Sequence, residues 1–252
     1  MSRNATHPGW RRSDPVAIPG SYQYDALVAG PAPQRFWHRR KLELVRSLTP
    51  PRAGMRALDV GCGSGVVAAF LADQGAEVDA VDTNEDALRF ARSQFEGGNL
   101  RFHLTAANEM AFADGSFDLI VCLEVIEHLP AAQVAALFGL LGRLLAAQGV
   151  LLVTTPNGAS LWPLIERAMD LFGLSPPMHG EQHITRFTRG RLEHALKAAG
   201  LEVLRSGRFC GLAPFVAGLS WRLAARLDTL ECRVGQPLGN LLYALAGRTP
   251  PR

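Results

Sequence analysis

The chain has 252 residues, 48% apolar and 19% charged, with a formal net charge of +3, which fits one α/β domain with a real core, excludes a disordered chain and does not argue for a nucleic-acid partner. Four cysteines, at 62, 122, 210 and 232, lack CxxC spacing and lie in apolar or glycine-rich segments. This excludes a disulfide scaffold or zinc knuckle and favours a reducing, cytoplasmic setting. Apolar runs stop well short of the roughly 18 residues of a membrane span, and the N-terminus has no signal-like stretch.

Residues 1–33 carry Pro8, Pro15, Pro19, Pro31 and Pro33 with Arg11 and Arg12, and read as a flexible N-terminal arm in which Tyr22 and Tyr24 are docking candidates. The rest, 34–252, reads as one domain. Apolar spacing predicts a helix over Gln34–Leu48, stopped by Thr49-Pro50-Pro51. Strands and helices then alternate: strand Arg56–Val60, turn Gly61–Gly65, helix Ser64–Gln74, strand Glu77–Val81, helix Asn84–Gln94 and strand Leu100–Leu104. Strand Phe117–Cys122, helix Ala131–Ala147 and strand Val150–Thr154 follow. Such alternation predicts a doubly wound, Rossmann-like parallel sheet covered on both faces. Beyond it, Leu161–Phe172 and Thr188–Ala199 read as helices, Leu201–Arg205 as a strand, Pro214–Val234 as a helix and Gly239–Ala246 as a last strand.

The segment Leu58-Asp59-Val60-Gly61-Cys62-Gly63-Ser64-Gly65 leaves a strand and enters a helix. Its glycines let backbone pass close to a ligand, and the helix start offers free N–H groups. A glycine turn of this kind also serves nicotinamide enzymes. Asp59, placed just before the glycines, separates the two readings. Asp82, after the second strand, suits the hydroxyls of a ribose. Cys62 reads as a small buried residue rather than a nucleophile.

Over roughly 34–205 these features resemble the class I S-adenosylmethionine-dependent methyltransferases, with LDVGCGSG as the strongest motif. The segments Asp114–Cys122, Glu124-Val125-Ile126-Glu127-His128-Leu129 and Gly149–Asn157 resemble the fourth strand, its exit loop and the fifth strand. Members of type 11 and the ubiquinone-biosynthesis O-methyltransferases are the most similar groups. The resemblance implies a seven-stranded sheet of order 3-2-1-4-5-7-6 with strand 7 antiparallel. It also implies that Asp59, Gly61 and Gly63, with Cys62 and Gly65 in the same turn, cradle the methionine part of S-adenosylmethionine. Asp82 would take the ribose hydroxyls, and Thr83, Ala107 and Asn108 would flank the adenine. Many members carry Asp where this chain has Ala106. Glu124 would approach the methionine end.

On the acceptor side, Glu124, Glu127 and His128 form an E-x-x-E-H pattern. It suits a divalent cation such as Mg2+, or it caps and packs the next helix. His183, in Met178–Phe187, suits a general base or a loop closing over the site, so Glu127, His128 and His183 are the catalytic candidates. A substrate cap is expected over about 157–190 and a basic amphipathic segment over about 205–238. Residues 205–252 hold seven arginines against Asp228 and Glu231. The helix in 212–234 either contacts an anionic membrane peripherally or packs as a lid. Phe209, Leu212, Phe215, Val216, Leu219 and Trp221 make the substrate side apolar. The expected activity is O-methylation of a small hydrophobic quinol, phenol or lipid-linked acceptor. N- or C-methylation and a non-catalytic cofactor-binding protein are the alternatives. The oligomeric state is open.

Overall fold

Short, largely apolar runs such as Ala57–Val60 and Leu119–Cys122 fold here as strands buried on both faces. In the computed structural model, which describes residues 19–95, 97–160 and 184–249, seven strands form one sheet of order β3-β2-β1-β4-β5-β7-β6. They are β1 (Arg56–Val60), β2 (Glu77–Asp82), β3 (Leu100–Leu104), β4 (Phe117–Leu123), β5 (Leu145–Pro156), β6 (Leu201–Phe209) and β7 (Leu241–Arg248). The first five pair in parallel, whereas β7 runs antiparallel to both β5 and β6. This is the doubly wound sheet expected from the sequence.

Eight α-helices are described: α1 (Tyr22–Val28), α2 (Ala32–Leu48), α3 (Val66–Asp73), α4 (Glu85–Gln94), α5 (Ala131–Leu144), α6 (Arg189–Ala198), α7 (Ala213–Ala217) and α8 (Trp221–Arg233). Alternate residues of a strand face opposite sides of the sheet. Leu58, Val60, Ile120, Cys122, Leu151 and Val153 accordingly pack with Phe138 and Leu141 of α5 and Leu192 and Leu196 of α6. On the other side Ala57, Leu119, Val121 and Leu152 pack with Val45, Ala68, Leu71 and Leu88 of α2, α3 and α4.

Three expectations change. The arm expected over 1–33 is structured from residue 19. Helix α1 docks through Tyr24, whose ring lies 5.4 Å from that of Phe90 and 5.9 Å from that of Phe95. Aromatic burial outweighs the proline-rich composition there. Helix α5 ends at Leu144 rather than Ala147, because Leu145 already pairs with Phe117 at the start of β5. The register between β4 and β5 then shifts before Leu119 meets Val150, which takes up the intervening residues. Finally, the single helix expected over 214–234 is two. Gly218 ends α7, and the Ser220 side chain accepts the Leu223 N–H to start α8. The helix expected over Leu161–Phe172, and most of the expected cap over 157–190, lie outside the described residues.

The apolar residues of the tail do not all face one site. Phe209 packs with Leu44 and Leu241, Val216 packs beside Phe36, and Leu219 is exposed. Among the described residues no helix is long and apolar enough to cross a membrane. Phe138 is fully buried between β4, β5 and α6. Phe138→Ala is expected to cost about 3–5 kcal/mol of unfolding free energy, read by urea titration, through lost burial and the cavity left behind.

Candidate active site

The strand order reverses between β1 and β4, and the carboxyl ends of strands at such a switch point form a crevice. The turn after β1 lies there with Gly61 at φ +73° and Gly63 at φ +51°, in the left-handed region where side chains are strained. Space is lacking too: a Cβ on Gly61 would overlap the Val125 side chain, and one on Gly63 would overlap that of Gln23. Asp82, at the end of β2, ties this turn to the next loop. Its Oδ2 accepts the Gly63 N–H at 2.7 Å and its Oδ1 the Asn84 N–H at 2.8 Å. A carboxylate has about four acceptor positions, so lone pairs remain for a ligand's hydroxyls.

Asp59 is buried at the end of β1, and its Oδ2 has no hydrogen-bond partner among the described residues. Burial first, and the neighbouring Asp82 charge second, push its carboxyl up to about 7, against the opposing pull of the Ala68 N–H. A buried oxygen without a donor, beside a glycine turn, suits a cationic ligand group. Cys62 is buried, and burial with the Asp59 and Asp82 charges holds its thiol well above the usual range. That state is unsuited to nucleophilic attack. The Cys62 carbonyl accepts the Gly65 N–H at 2.9 Å, closing the turn.

Helix α1 covers this turn. The Ser64 N–H donates to Gln23 Oε1 at 2.8 Å, and the Tyr24 N–H donates to Ser64 Oγ at 3.0 Å. Thr83 and Asn108 are exposed beyond Asp82, and Ala107 is half-buried. The segment holding Ala107 and Asn108 is tied to β2 by the Thr105 N–H, which donates to the Asp82 carbonyl at 3.1 Å.

After β4, Glu124 adopts φ +57°, a conformation that costs free energy for a residue with a Cβ. Its N–H is held by the Thr154 carbonyl at 3.0 Å. Its Oε2 lies 3.0 Å from Lys41 Nζ of α2, while Oε1 is buried with no hydrogen-bond partner among the described residues. Glu127 is buried and accepts from Thr155 Oγ1 at 2.9 Å. Burial, reinforced by the Glu124 charge, pushes its carboxyl up to about 8. Its carbonyl accepts the Thr185 N–H at 3.0 Å, so Glu127 binds the β4 loop both to β5 and to the loop before α6.

His128 points to solvent. Of the expected cation trio, Glu124 pairs with Lys41, Glu127 accepts from Thr155 and His128 is exposed, and among the described residues no three His, Cys, Asp or Glu side chains are grouped to hold a metal ion. A turn of 3-10 helix over Ile126–His128 carries Glu127 and His128, with Glu124 just before it. His183 lies outside the described residues. Lys41 and Gln23 were not among the expected site residues. Lys41's one signal is that it and Lys197 are the only lysines in an arginine-rich chain. Gln23 sits in the segment that composition presents as an arm.

A family profile described as a methyltransferase domain matches residues 34–206. The ubiquinone biosynthesis O-methyltransferase of Azorhizobium caulinodans is 29% identical over 207 residues, 77% of this chain and 75% of that protein. The protein of the same name from Thiobacillus denitrificans is 42% identical over 91 residues, 34% of this chain, and that match spans only 39% of the relative. Magnesium protoporphyrin IX methyltransferase from Synechocystis PCC 6803, solved with bound SAH, superposes with a TM-score of 0.61 at 18% identity, covering 85% of each chain, and so shares the fold. The glycine turn between two strand-end carboxylates, the sheet order with its antiparallel β7 and the matched domain together make this chain a member of the class I S-adenosylmethionine-dependent methyltransferases.

Proposed function

We propose that the protein methylates a hydroxyl oxygen of a small hydrophobic acceptor, a quinol, phenol or lipid-linked alcohol. The observation that carries this reading is the Glu124 carboxylate, with Oε2 held by Lys41 and Oε1 buried without a hydrogen-bond partner among the described residues. A hydroxyl must lose its proton as it takes a methyl group, and a positioned carboxylate accepts that proton. The names of the Azorhizobium and Thiobacillus relatives support oxygen as the atom methylated.

S-adenosylmethionine, when bound, supplies a methyl group on a sulfonium. Asp59 would face the cationic methionine end, with Gly61, Cys62, Gly63 and Gly65 giving close backbone approach. Asp82 would accept from the ribose hydroxyls, and Thr83, Ala107 and Asn108 would border the adenine. Alignment of acceptor oxygen, methyl and sulfur in a dry site supplies most of the acceleration, because charge is neutralised during transfer. Glu124 Oε1 would take the proton that the acceptor hydroxyl gives up on receiving the methyl group. Lys41 orients that carboxylate from α2. Glu127, bonded to Thr155 and to the Thr185 N–H, positions the loop. This reading calls for no divalent cation at Glu124, Glu127 and His128, since Lys41 and Thr155 engage the two carboxylates. His183 is the rival base.

Four outcomes test this. Asp82→Ala is expected to weaken S-adenosylmethionine binding by roughly ten- to a hundredfold in calorimetry, from the loss of charge-assisted hydrogen bonds. Glu124→Gln is expected to lower kcat for a catechol or quinol acceptor by about 10²-fold or more with cofactor affinity nearly kept, whereas a comparable loss in His183→Ala alone would move the base to His183. Activity is expected to survive EDTA; loss restored by Mg2+ would overturn the reading of the acidic loop. Cofactor affinity is expected to depend on pH through Asp59. Its raised pKa, about 7, leaves it protonated at pH 6, and a cation placed beside it favours the ionised form. Binding then releases a proton below that pH, so affinity rises by up to about tenfold per pH unit and levels off above about pH 7. Asp59→Asn is expected to flatten that dependence.

A further inference from the structure

An amphipathic helix on a globular domain normally turns its apolar stripe inward. Helix α8 turns Ala224 and Leu227 inward but leaves a second apolar stripe outside. The residues it buries are Ala224, Asp228 and Glu231, whereas Leu223 is 54% exposed, Leu230 56% and Val234 71%, with Leu219 just before the helix at 89%. Residues 223, 230 and 234 fall on one stripe at helical spacing. Arg222, Arg226 and Arg233 are exposed along the neighbouring strip.

Charge is sorted in the same sense. The two acids of residues 212–240 both face inward. Asp228 lies 3.1 Å from Arg40 Nε of α2. Glu231 accepts the Leu212 N–H at 2.7 Å and the Ala213 N–H at 3.4 Å, satisfying the start of α7. The helix is thus anchored by an ion pair, by the cap of α7 and by Trp221, Ala224 and Leu227 packed near Phe36, leaving outward Leu223, Leu230, Val234 and the arginines with no carboxylate from this segment. Arg39 lies 5.2 Å from the centre of the Trp221 ring and extends the basic strip onto α2.

We infer that α8 and the turn before it form a docking surface for an anionic lipid bilayer. Leucine side chains beside arginines, without acids, match the acyl boundary and the negative headgroups of such a surface, and the arrangement gives attraction without a membrane span. Placement agrees with use. Helices α7 and α8 join the end of β6 to the start of β7, and Phe209 pairs with Leu241 while Pro156 pairs with Leu241 as well. The surface therefore belongs to the edge of the sheet that carries the glycine turn and Glu124. The inference deepens the proposed function, since it would bring the site to acceptors dissolved in a bilayer, but the binding itself does not depend on the acceptor.

The test is co-sedimentation of the full chain with vesicles of phosphatidylcholine containing about 30% phosphatidylglycerol, and with phosphatidylcholine alone. Binding to the anionic vesicles alone is expected, weakening as salt is raised. Leu223→Ser with Leu230→Ser is expected to weaken it by about tenfold or more, and Arg222→Gln with Arg226→Gln and Arg233→Gln by about a hundredfold. S-adenosylmethionine affinity, measured on the same variants, is expected to stay unchanged. This reports folding and separates failure of the docking surface from failure of the methyltransferase site. No binding to anionic vesicles, equal binding to neutral ones, or binding kept by both sets of variants overturns the inference. Self-association abolished by the leucine pair, in the absence of vesicle binding, would assign the face to a second copy instead and overturns it as well.

Discussion

The Asp82 carboxylate accepts the Gly63 N–H with one oxygen and the Asn84 N–H with the other. By that pair of bonds the turn after β1 and the loop after β2 hold one geometry, and the crevice between them has a floor. Gly63 must be glycine for its positive φ and for the approach of Gln23, Gly61 because Val125 fills the space of a Cβ, and Asp59 is left buried behind the turn. Burial first, and the Asp82 charge second, raise the Asp59 carboxyl. Such an arrangement disfavours the ionised state of Asp59 without a cation and favours it with one, which is the electrostatic logic of a site for a positively charged ligand.

What the chain's pattern revealed, and what it concealed, follows from the range of the interactions. Strands such as Arg56–Val60 and Phe117–Leu123 are legible because most of their residues are buried, which leaves short, largely apolar runs. The glycine turn is legible because backbone conformation restricts the residue type. The end of α5 was not, because Leu145-Ala146-Ala147 suits a helix equally well and only pairing with Phe117 turns it into strand. Helix α1 was concealed by prolines around it, and its docking depends on Phe90 and Phe95, distant in sequence. The acidic loop shows the limit most clearly. The spacing of Glu124, Glu127 and His128 suggests three ligands, yet spacing does not reveal that Lys41 and Thr155 engage the two carboxylates separately.

The C-terminal segment holding α7 and α8 illustrates how the same composition supports different surfaces. A count of seven arginines against two acids over residues 205–252 describes a basic tail, but says nothing of which way the charges point. The fold resolves it: both acids are consumed inside, one against Arg40 and one at the start of α7, so the outward face is more basic and more apolar than the sequence average. The inner face of α8 mixes sheltered polar contacts with apolar ones, Asp228 and Glu231 being buried beside Ala224, and so a second apolar stripe is left outside.

Arg40 and Lys41 are neighbours on α2, yet one reaches Asp228 in the cap and the other Glu124 at the end of β4. Consecutive residues of a helix project about 100° apart. The two ion pairs therefore act as a pair of guy-lines in different directions, and together they fix the azimuth of α2 about its own axis. Rolling the helix to loosen the cap would drag the lysine across the acidic loop, so the outer surface of the molecule and the carboxylate beside its glycine turn share a single mechanical bearing.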